Sequence, residues 1–135
     1  MFDIILAVIF AYNGLAQSPV CPYPIANNMK CTINITYVIY SNGVACTPVN
    51  TNITAGNSIN VPCAAFTSCG TGNFDIEITI NSINGVNVPN PQTVSMSVQG
   101  PLYFGPCSGD PNIPQSCYVG CNENIDWNST GANIY

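Results

Sequence analysis

Alternating apolar and polar residues run through most of the chain after its apolar start. The clearest alternation is FDIEITI at residues 74–80, and a longer one, CTINITYVIY, covers residues 31–40. Successive side chains of a β-strand point to opposite faces, so each run offers one apolar face to a core and one polar face to water. No segment shows a sustained helical period. Short strands separated by Gly, Pro and Asn clusters predict an all-β sandwich.

The run at residues 31–40 leads into Asn42-Gly43, the strongest two-residue signal for a β-hairpin. The register set by this turn places Cys46 on the return strand opposite Ile39. Cys31 then lies about 26 Å from Ile39 along the strand, because a strand rises about 3.3 Å per residue. A disulfide needs Cα atoms within about 7 Å. We therefore expect Cys31 and Cys46 to bond to cysteines of other elements. The predicted core-facing side chains of the run are Cys31, Ile33, Ile35, Tyr37 and Ile39.

Further strands are predicted on both sides of a second Asn-Gly turn, Asn84-Gly85. The apolar pattern changes parity near this turn, since Val86 would lie beside Ile83 and not beside Ile80. Alternation resumes at residues 93–99. The other predicted inward side chains are Ile59, Val61, Phe74, Ile76, Ile78, Ile80, Val94, Met96 and Val98.

From Gly100 onward the alternation gives way to a segment rich in proline and cysteine. Proline donates no hydrogen bond to a neighbouring strand, so it is rare at the centre of a sheet. Residues 100–135 are therefore expected to form an irregular wrap around the sandwich, held by disulfides.

Eight cysteines, all after the apolar N-terminal stretch, indicate a protein of an oxidising, extracellular compartment. Four disulfides are expected, in any of 105 possible connectivities. Cys63 with Cys69 would be a local bridge, and at least one C-terminal cysteine must bond back to the sandwich if all eight are paired. A zinc site is disfavoured, because structural zinc usually shows paired short spacings and often histidine. The chain also lacks the Cys-x-x-Cys of redox enzymes. The cysteines are Cys21, Cys31, Cys46, Cys63, Cys69, Cys107, Cys117 and Cys121.

The N-terminal residues 1–16 are predicted to be a signal peptide or a retained apolar segment. An uncharged apolar run at residues 4–12 is followed by Gly14-Leu15-Ala16, which offers small residues to a signal peptidase. The run is shorter than the roughly 20 residues of a membrane-spanning helix. No basic residue precedes Lys30, which is unusual for a secretory signal, so a retained helix of the pilin type stays open. The remainder, residues 17–135, is expected to form a single domain.

The composition removes whole classes of function. The chain has one Lys or Arg against six Asp or Glu, no histidine, and only 5% charged residues. Binding to nucleic acid or to an anionic membrane needs clustered basic residues, so neither partner is expected. Catalysis that uses histidine as a proton shuttle is excluded, and we expect neither an enzyme nor a cofactor. Low charge favours association, so self-association is the expected interaction.

Four groups of polar or aromatic residues are candidate sites. The carboxylates of Asp75 and Glu77 share a strand face, but that face is expected to be solvated rather than catalytic. Oxygen ligands crowd the segment around Asp126 and are weak candidates for calcium. Aromatic rings in the same region could stack on a sugar, or could simply anchor the tail. Three Asn-x-Ser/Thr sequons could carry glycans, conditional on the host. The residues are Asn122, Asn124, Asp126 and Asn128 for calcium; Trp127 and Tyr118 for sugar; Asn34, Asn52 and Asn128 for glycosylation.

The leader ending GLAQS, the run CTINITYVIY and the segment ITAGNSINVPC together resemble small secreted Ig-like surface modules common in Bacteroidota. The resemblance covers roughly residues 31–99, and it implies a sandwich with structural or adhesive work. We therefore expect a non-enzymatic extracellular or cell-surface protein, possessing exposed strand edges that join copies into a filament. The alternatives are a secreted carbohydrate-binding module and, third, a small disulfide-rich inhibitor or toxin.

Overall fold

The computed structural model describes residues 19–88, 93–95, 102–103, 112–119 and 124–135. Our expectations for the N-terminal segment, for Met96 and Val98, and for Cys107 and Cys121 lie outside these ranges. The strands are β1 (Tyr23–Asn27), β2 (Ile33–Ser41), β3 (Val44–Ala45), β4 (Val49–Ile53), β5 (Ser58–Val61), β6 (Phe74–Ile83), β7 (Val86–Asn87), β8 (Thr93–Ser95), β9 (Leu102–Tyr103), β10 (Asn124–Asn128) and β11 (Gly131–Ile134); α1 spans Cys63–Cys69, and a 3-10 turn spans Gln115–Cys117.

Two sheets pack together, which confirms an all-β sandwich stabilised by disulfides. The first sheet has the order β5-β1-β11-β10-β9. In the second sheet β2 and β6 are central; β3 and β4 pair with the outer side of β2, and β7 and β8 pair with the outer side of β6. The described edge strands of the second sheet are therefore β4, continued by β3, on one side and β8, continued by β7, on the other.

Isoleucine fills most of the core, as the alternating pattern predicts. The buried side chains of β2 are Ile33, Ile35 and Ile39, while Cys31 and Tyr37 are partly buried and pack against the same cluster. Branched side chains suit this role because they fit closely on a pleated surface. The fully buried isoleucines are Ile25, Ile33, Ile35, Ile53, Ile76, Ile78, Ile80, Ile83, Ile125 and Ile134.

A β-bulge explains the parity change near the second Asn-Gly turn. Asn34 of β2 pairs with Ser82, whereas the next residue, Ile35, pairs with Ile80. Asn81 is therefore the extra residue of the bulge. The bulge lets both Ile80 and Ile83 point into the core although they are three positions apart. Val86 pairs with Ile83, as predicted.

Both Asn-Gly turns form hairpins with left-handed backbone at both central residues. The φ angles are 49° at Asn42 and 80° at Gly43, and 53° and 75° at Asn84-Gly85. These signs define the type I′ turn, whose twist matches that of the flanking strands. Cys46 donates its backbone N–H to the Ile39 carbonyl at 2.8 Å, which confirms the predicted register.

The expectation of an irregular C-terminal wrap is wrong for the last two strands. β11 lies between β1 and β10 within the first sheet, and it pairs with β1 in parallel. Beyond Pro114 the sequence contains no proline, so backbone N–H groups are again available for pairing. Ile125 and Ile134 are fully buried. The C-terminal strands therefore contribute to the core instead of covering it.

The short helix α1 was not predicted from the sequence. It comprises two turns, which is too short for a helical period to emerge, and Pro62 and Gly70 bound it. Phe66 is its buried residue, and its ring meets that of Phe74 edge to face with centroids 5.5 Å apart. The helix thus covers the end of β6.

Three disulfides connect distant parts of the described chain: Cys21–Cys63, Cys31–Cys117 and Cys46–Cys69. Separate partners for Cys31 and Cys46, and a C-terminal cysteine bonded back to the sandwich, are confirmed. The predicted Cys63–Cys69 bridge is wrong. These two cysteines begin and end α1, and six helical steps span about 9 Å, beyond the reach of a disulfide.

Close packing at Gly72 supports a prediction about stability. Gly72 has φ +91°, and a Cβ there would overlap the Asn42 carboxamide, whereas Gly56 has φ +74° and open space around it. We expect Gly56→Ala to lower the free energy of unfolding by about 1–2 kcal/mol, because a side chain is disfavoured at a left-handed backbone position. Gly72→Ala should lower it by about 1–3 kcal/mol more, because the new Cβ overlaps Asn42. Urea unfolding of both variants measures this difference. Equal losses would show that Asn42 moves aside freely.

Candidate functional site

A network of amides and hydroxyls covers the solvent face of the second sheet. We call it the outer amide face, and it consists of Asn34, Thr36, Asn50, Asn52 and Asn81. Each of these residues is exposed or partly exposed. They come from β4, β2 and β6, so the network crosses three neighbouring strands.

Asn34 is the centre of the outer amide face because its carboxamide makes four hydrogen bonds. Its Nδ2 donates to Oδ1 of Asn50 at 2.9 Å and to Oδ1 of Asn52 at 2.8 Å. Its Oδ1 accepts from Nδ2 of Asn50 at 3.0 Å and from Nδ2 of Asn81 at 2.9 Å. A side-chain amide has two donor hydrogens and two acceptor lone pairs, so Asn34 has no remaining capacity.

Thr36 completes the same network. Its Oγ1 accepts from Nδ2 of Asn50 at 3.1 Å and from Nδ2 of Asn81 at 2.9 Å. Asn81 reaches both Asn34 and Thr36 from the bulge of β6. Cross-strand polar pairs contribute roughly 0.2–1 kcal/mol each, so the network stabilises the pairing of three strands without any charged side chain.

The two carboxylates of β6 extend this face toward the other end of the sheet. Asp75 and Glu77 are partly exposed, which agrees with their predicted position on the solvent side. Tyr40 donates its hydroxyl to Oε2 of Glu77 at 3.4 Å. Partial desolvation, with smaller contributions from Glu77 and Asp75, raises the pKa of Tyr40. Tyr40 of β2 and Glu77 of β6 are therefore in contact across the two paired strands.

The outer amide face ends at the edge strand β4. Among the described strands β4 pairs with β2 alone. Its residues, Val49–Ile53, include no charge and no proline, and most of them are exposed. Proteins usually guard such an edge with lysine, proline, a bulge or a covering segment, because its free N–H and C=O groups can pair with another chain. β4 itself has no lysine, no proline and no bulge.

The predicted sugar-stacking rings lie at or near the core. Tyr118 is buried, and Trp127 is partly buried and packs against the core cluster from β10. The structure therefore does not place these two rings on a shared exposed platform. Their described positions match the alternative in which aromatic rings anchor the C-terminal segment.

Of the four weak calcium candidates, the described side chains are those of Asp126 and Asn128. Asn122 lies outside the described residues, and of Asn124 only the backbone is described, within β10. Asp126 is exposed on β10, and Oδ1 of Asn128 accepts from the backbone N–H and hydroxyl of Thr130 at 2.8 and 2.6 Å. No group of three histidine, cysteine, aspartate or glutamate side chains suited to a metal occurs in the part of the chain that the structure describes.

The three sequons have different surroundings. Both amide hydrogens of Asn34 are used within the outer amide face. Asn52 is exposed and accepts from Asn34 through its Oδ1. Asn128 is exposed at the end of β10, and within the described chain the hydrogen bonds of its side chain are those that Oδ1 accepts from Thr130. A glycan replaces one amide hydrogen, so it would break the network at Asn34 but no described hydrogen bond at Asn128.

We therefore predict that folded protein secreted from a glycosylating host carries sugar at Asn128 and not at Asn34. Glycopeptide mass spectrometry of the purified protein measures occupancy at each site. Thr130→Ala should remove the sugar at Asn128, while Thr36→Ser, which keeps a sequon, should leave Asn34 unmodified. A fully occupied Asn34 in folded material would contradict the prediction.

The amide network could not be found from the sequence, although its parts were visible. Asn34 and Thr36 on β2, and Asn50 and Asn52 on β4, occupy alternating positions and predict a polar face. Their mutual contacts depend on a cross-strand register and on the bulge that brings Asn81 beside Asn34. Neither is encoded in any single strand.

Within the described ranges no helix has the length and apolar content of a membrane span. Comparison of the chain with protein-family models, with curated proteins and with solved structures found no match. The resemblance to secreted Ig-like surface modules therefore stays a prediction, and the function must be argued from the surface itself.

Proposed function

We propose that this protein is a non-enzymatic structural or adhesive protein of the extracellular space, and that its copies assemble into a filament by adding strands to exposed sheet edges. The observation that carries the proposal is the edge strand β4, whose residues include no charge, no proline and no bulge, and which pairs with β2 alone among the described strands. Three disulfides in the described chain are compatible with an extracellular location.

Strand addition suits this chain because it requires no charged contacts. An added strand forms main-chain hydrogen bonds along the edge, and alternate side chains determine which strand fits. The 5% of charged residues offers little electrostatic repulsion between copies. The outer amide face, adjacent to β4, would continue onto the added strand through further amide or hydroxyl pairs.

A filament requires that each copy both accepts and donates a strand. We assign acceptance to β4 and donation to an N-terminal segment, either the apolar run at residues 4–12 or the segment after Gln17. Pairing of two different surfaces continues from copy to copy, whereas pairing of β4 with β4 of a second copy closes as a two-fold dimer.

Val49→Lys tests the acceptor. Val49 is 40% exposed at the beginning of β4, so a lysine there can reach water while guarding the edge. Light scattering after size-exclusion chromatography, together with negative-stain microscopy, should show filaments for the natural protein and monomers for this variant. Val119→Lys is the matched control, because Val119 is 55% exposed outside the strands and should leave assembly unchanged.

The remaining outcomes contradict parts of the proposal. Monomers of the natural protein at all concentrations would overturn it. If the natural protein forms dimers and Val49→Lys dissociates them, then β4 is the contact between copies, but the filament proposal is overturned. Filaments that persist in Val49→Lys, when its melting temperature equals that of the natural protein, would exclude β4 as the acceptor.

A further inference from the structure

Two of the chain's three Asn-Gly dipeptides form turns in the described structure and lie in different surroundings, while the third, Asn13-Gly14, lies outside the described residues. Asn42-Gly43 and Asn84-Gly85 have similar backbone angles, both are exposed, and valine follows the glycine in each. Asn-Gly is the dipeptide in which asparagine loses its amide most readily, because glycine leaves its own backbone nitrogen unhindered. A difference in reactivity between the two sites must therefore come from the fold.

We propose that Asn84 is a site of spontaneous deamidation in the native protein and that Asn42 is protected. In this reaction the backbone nitrogen of Gly85, after losing its proton, attacks Cγ of Asn84. A new C–N bond closes a five-membered succinimide, the bond from Cγ to Nδ2 breaks, and ammonia leaves. Water then opens the ring at either carbonyl and yields aspartate or isoaspartate. Water is the only co-reactant.

The carboxamide of Asn42 is held at both ends. Its Nδ2 donates to the Thr71 carbonyl at 2.8 Å, and its Oδ1 accepts from the Asn73 backbone N–H at 3.0 Å. Gly72, between these two partners, lies directly against the same carboxamide. Attack at Cγ requires the carboxamide to rotate toward the following nitrogen, so both hydrogen bonds must first break.

The main chain around Asn42 is also restrained. Its backbone N–H donates to the Asn73 carbonyl at 2.8 Å, and the Cys46–Cys69 disulfide fixes the return strand shortly after the turn. Any opening of the turn that brings the glycine nitrogen to Cγ must displace these restraints. The disulfide and the clamp from Thr71 and Asn73 both oppose that opening.

Asn84 lacks these restraints. Its backbone N–H donates to the Thr32 carbonyl at 2.8 Å, but its carboxamide forms no hydrogen bond within the described chain. The strand after it, β7, has two residues and lies at a sheet edge, as β3 does after Asn42, but no disulfide of the described chain follows β7 as Cys46–Cys69 follows β3. Short edge strands open more easily than central ones. Deamidation here would add one negative charge to a chain whose formal net charge is −5.

Ageing of the purified, fully oxidised chain in warm, mildly alkaline buffer tests the proposal. Chymotryptic peptide mass spectrometry in ¹⁸O-water measures the rate at each asparagine separately. We expect Asn84 to react at least about tenfold faster than Asn42, since two hydrogen bonds must break at Asn42. After reduction and unfolding, the two sites should react at similar rates.

Two variants connect the rates to the fold. In an Asn13→Gln background, which removes the third Asn-Gly dipeptide, Asn84→Gln should abolish most of the acidic charge variants seen by isoelectric focusing, because glutamine forms the larger ring slowly. Asn42→Gln should acquire them at the natural rate. The proposal would be overturned if the two sites reacted at equal rates in the native protein, or if Asn42 reacted faster. It would also be overturned if both sites were protected in the native protein while the unfolded chain reacted rapidly.

Discussion

Replacing both Cys31 and Cys117 with alanine is expected to destabilise the protein by about 4–5 kcal/mol. Their disulfide closes the longest described loop, with a sequence separation of 86, and a long loop loses the most unfolded-state entropy on closure. Cys117 is fully buried, and its carbonyl accepts the backbone N–H of Lys30 at 2.9 Å. The bond therefore ties the C-terminal region to the start of β2.

Urea unfolding of the oxidised protein and of the double variant measures this loss. The matched control is Cys46→Ala with Cys69→Ala, whose loop has a sequence separation of 23. The chain-entropy relation gives a loss about 1 kcal/mol smaller for this shorter loop. Intact mass must show that the remaining disulfides stay formed in both variants. A larger loss for the shorter loop would mean that local packing, not loop closure, dominates the effect.

The parts of the fold that could be predicted are those encoded locally. The alternation in β2 and β6 and the Asn-Gly dipeptides at residues 42–43 and 84–85 specify strands, faces and turns within a few residues of each other. The register of the first hairpin followed directly from its turn. Even the altered parity at Ile83 was visible in the sequence, although the bulge that causes it was not.

Non-local pairing explains what the sequence could not reveal. The parallel pairing of β1 with β11 joins opposite ends of the chain, and neither strand alone specifies that partner. The prolines before Pro114 obscured the strands that follow them. Cys63 and Cys69 suggested a local bridge because they are close in the sequence. The helix that holds them apart could not be predicted. The outer amide face has the same origin, since it arises only when β4, β2 and β6 are in register.

One buried asparagine connects several of these non-local elements. Asn27 is fully buried at the end of β1, where its Nδ2 donates to the carbonyls of Cys31 and Ile53, each at 2.9 Å. Its Oδ1 accepts the backbone N–H of Met29 at 2.9 Å. The side chain thus satisfies two carbonyls and one N–H in a region where the chain crosses from the first sheet to the second.

Asn27→Ala is expected to lower the free energy of unfolding by about 3–5 kcal/mol, because it leaves the buried Ile53 carbonyl, the buried Met29 N–H and the partly buried Cys31 carbonyl without their partner, at about 1–3 kcal/mol each and partly relieved by water. Asn28→Ala is the matched control. Asn28 is exposed, its side-chain contact to Asn133 is 3.4 Å long, and we expect a change within about 0.5 kcal/mol. Chemical unfolding of both variants measures the contrast, and similar small losses would show that water replaces the Asn27 amide at little cost.

Asn27→Asp separates the loss of hydrogen bonds from the loss of volume. The new carboxyl keeps an oxygen for Met29, but when ionised it faces the carbonyls of Cys31 and Ile53 with no hydrogen to donate. Burial disfavours the charged form, so the folded-state pKa of this carboxyl should lie above its unfolded value of about 3.9. A raised folded-state pKa makes the folded state bind more protons, so stability relative to the natural protein should increase as the pH falls from 7 toward about 4. A deficit that stays constant over this range would place the carboxyl in water, and would mean that the region around Asn27 opens to admit it.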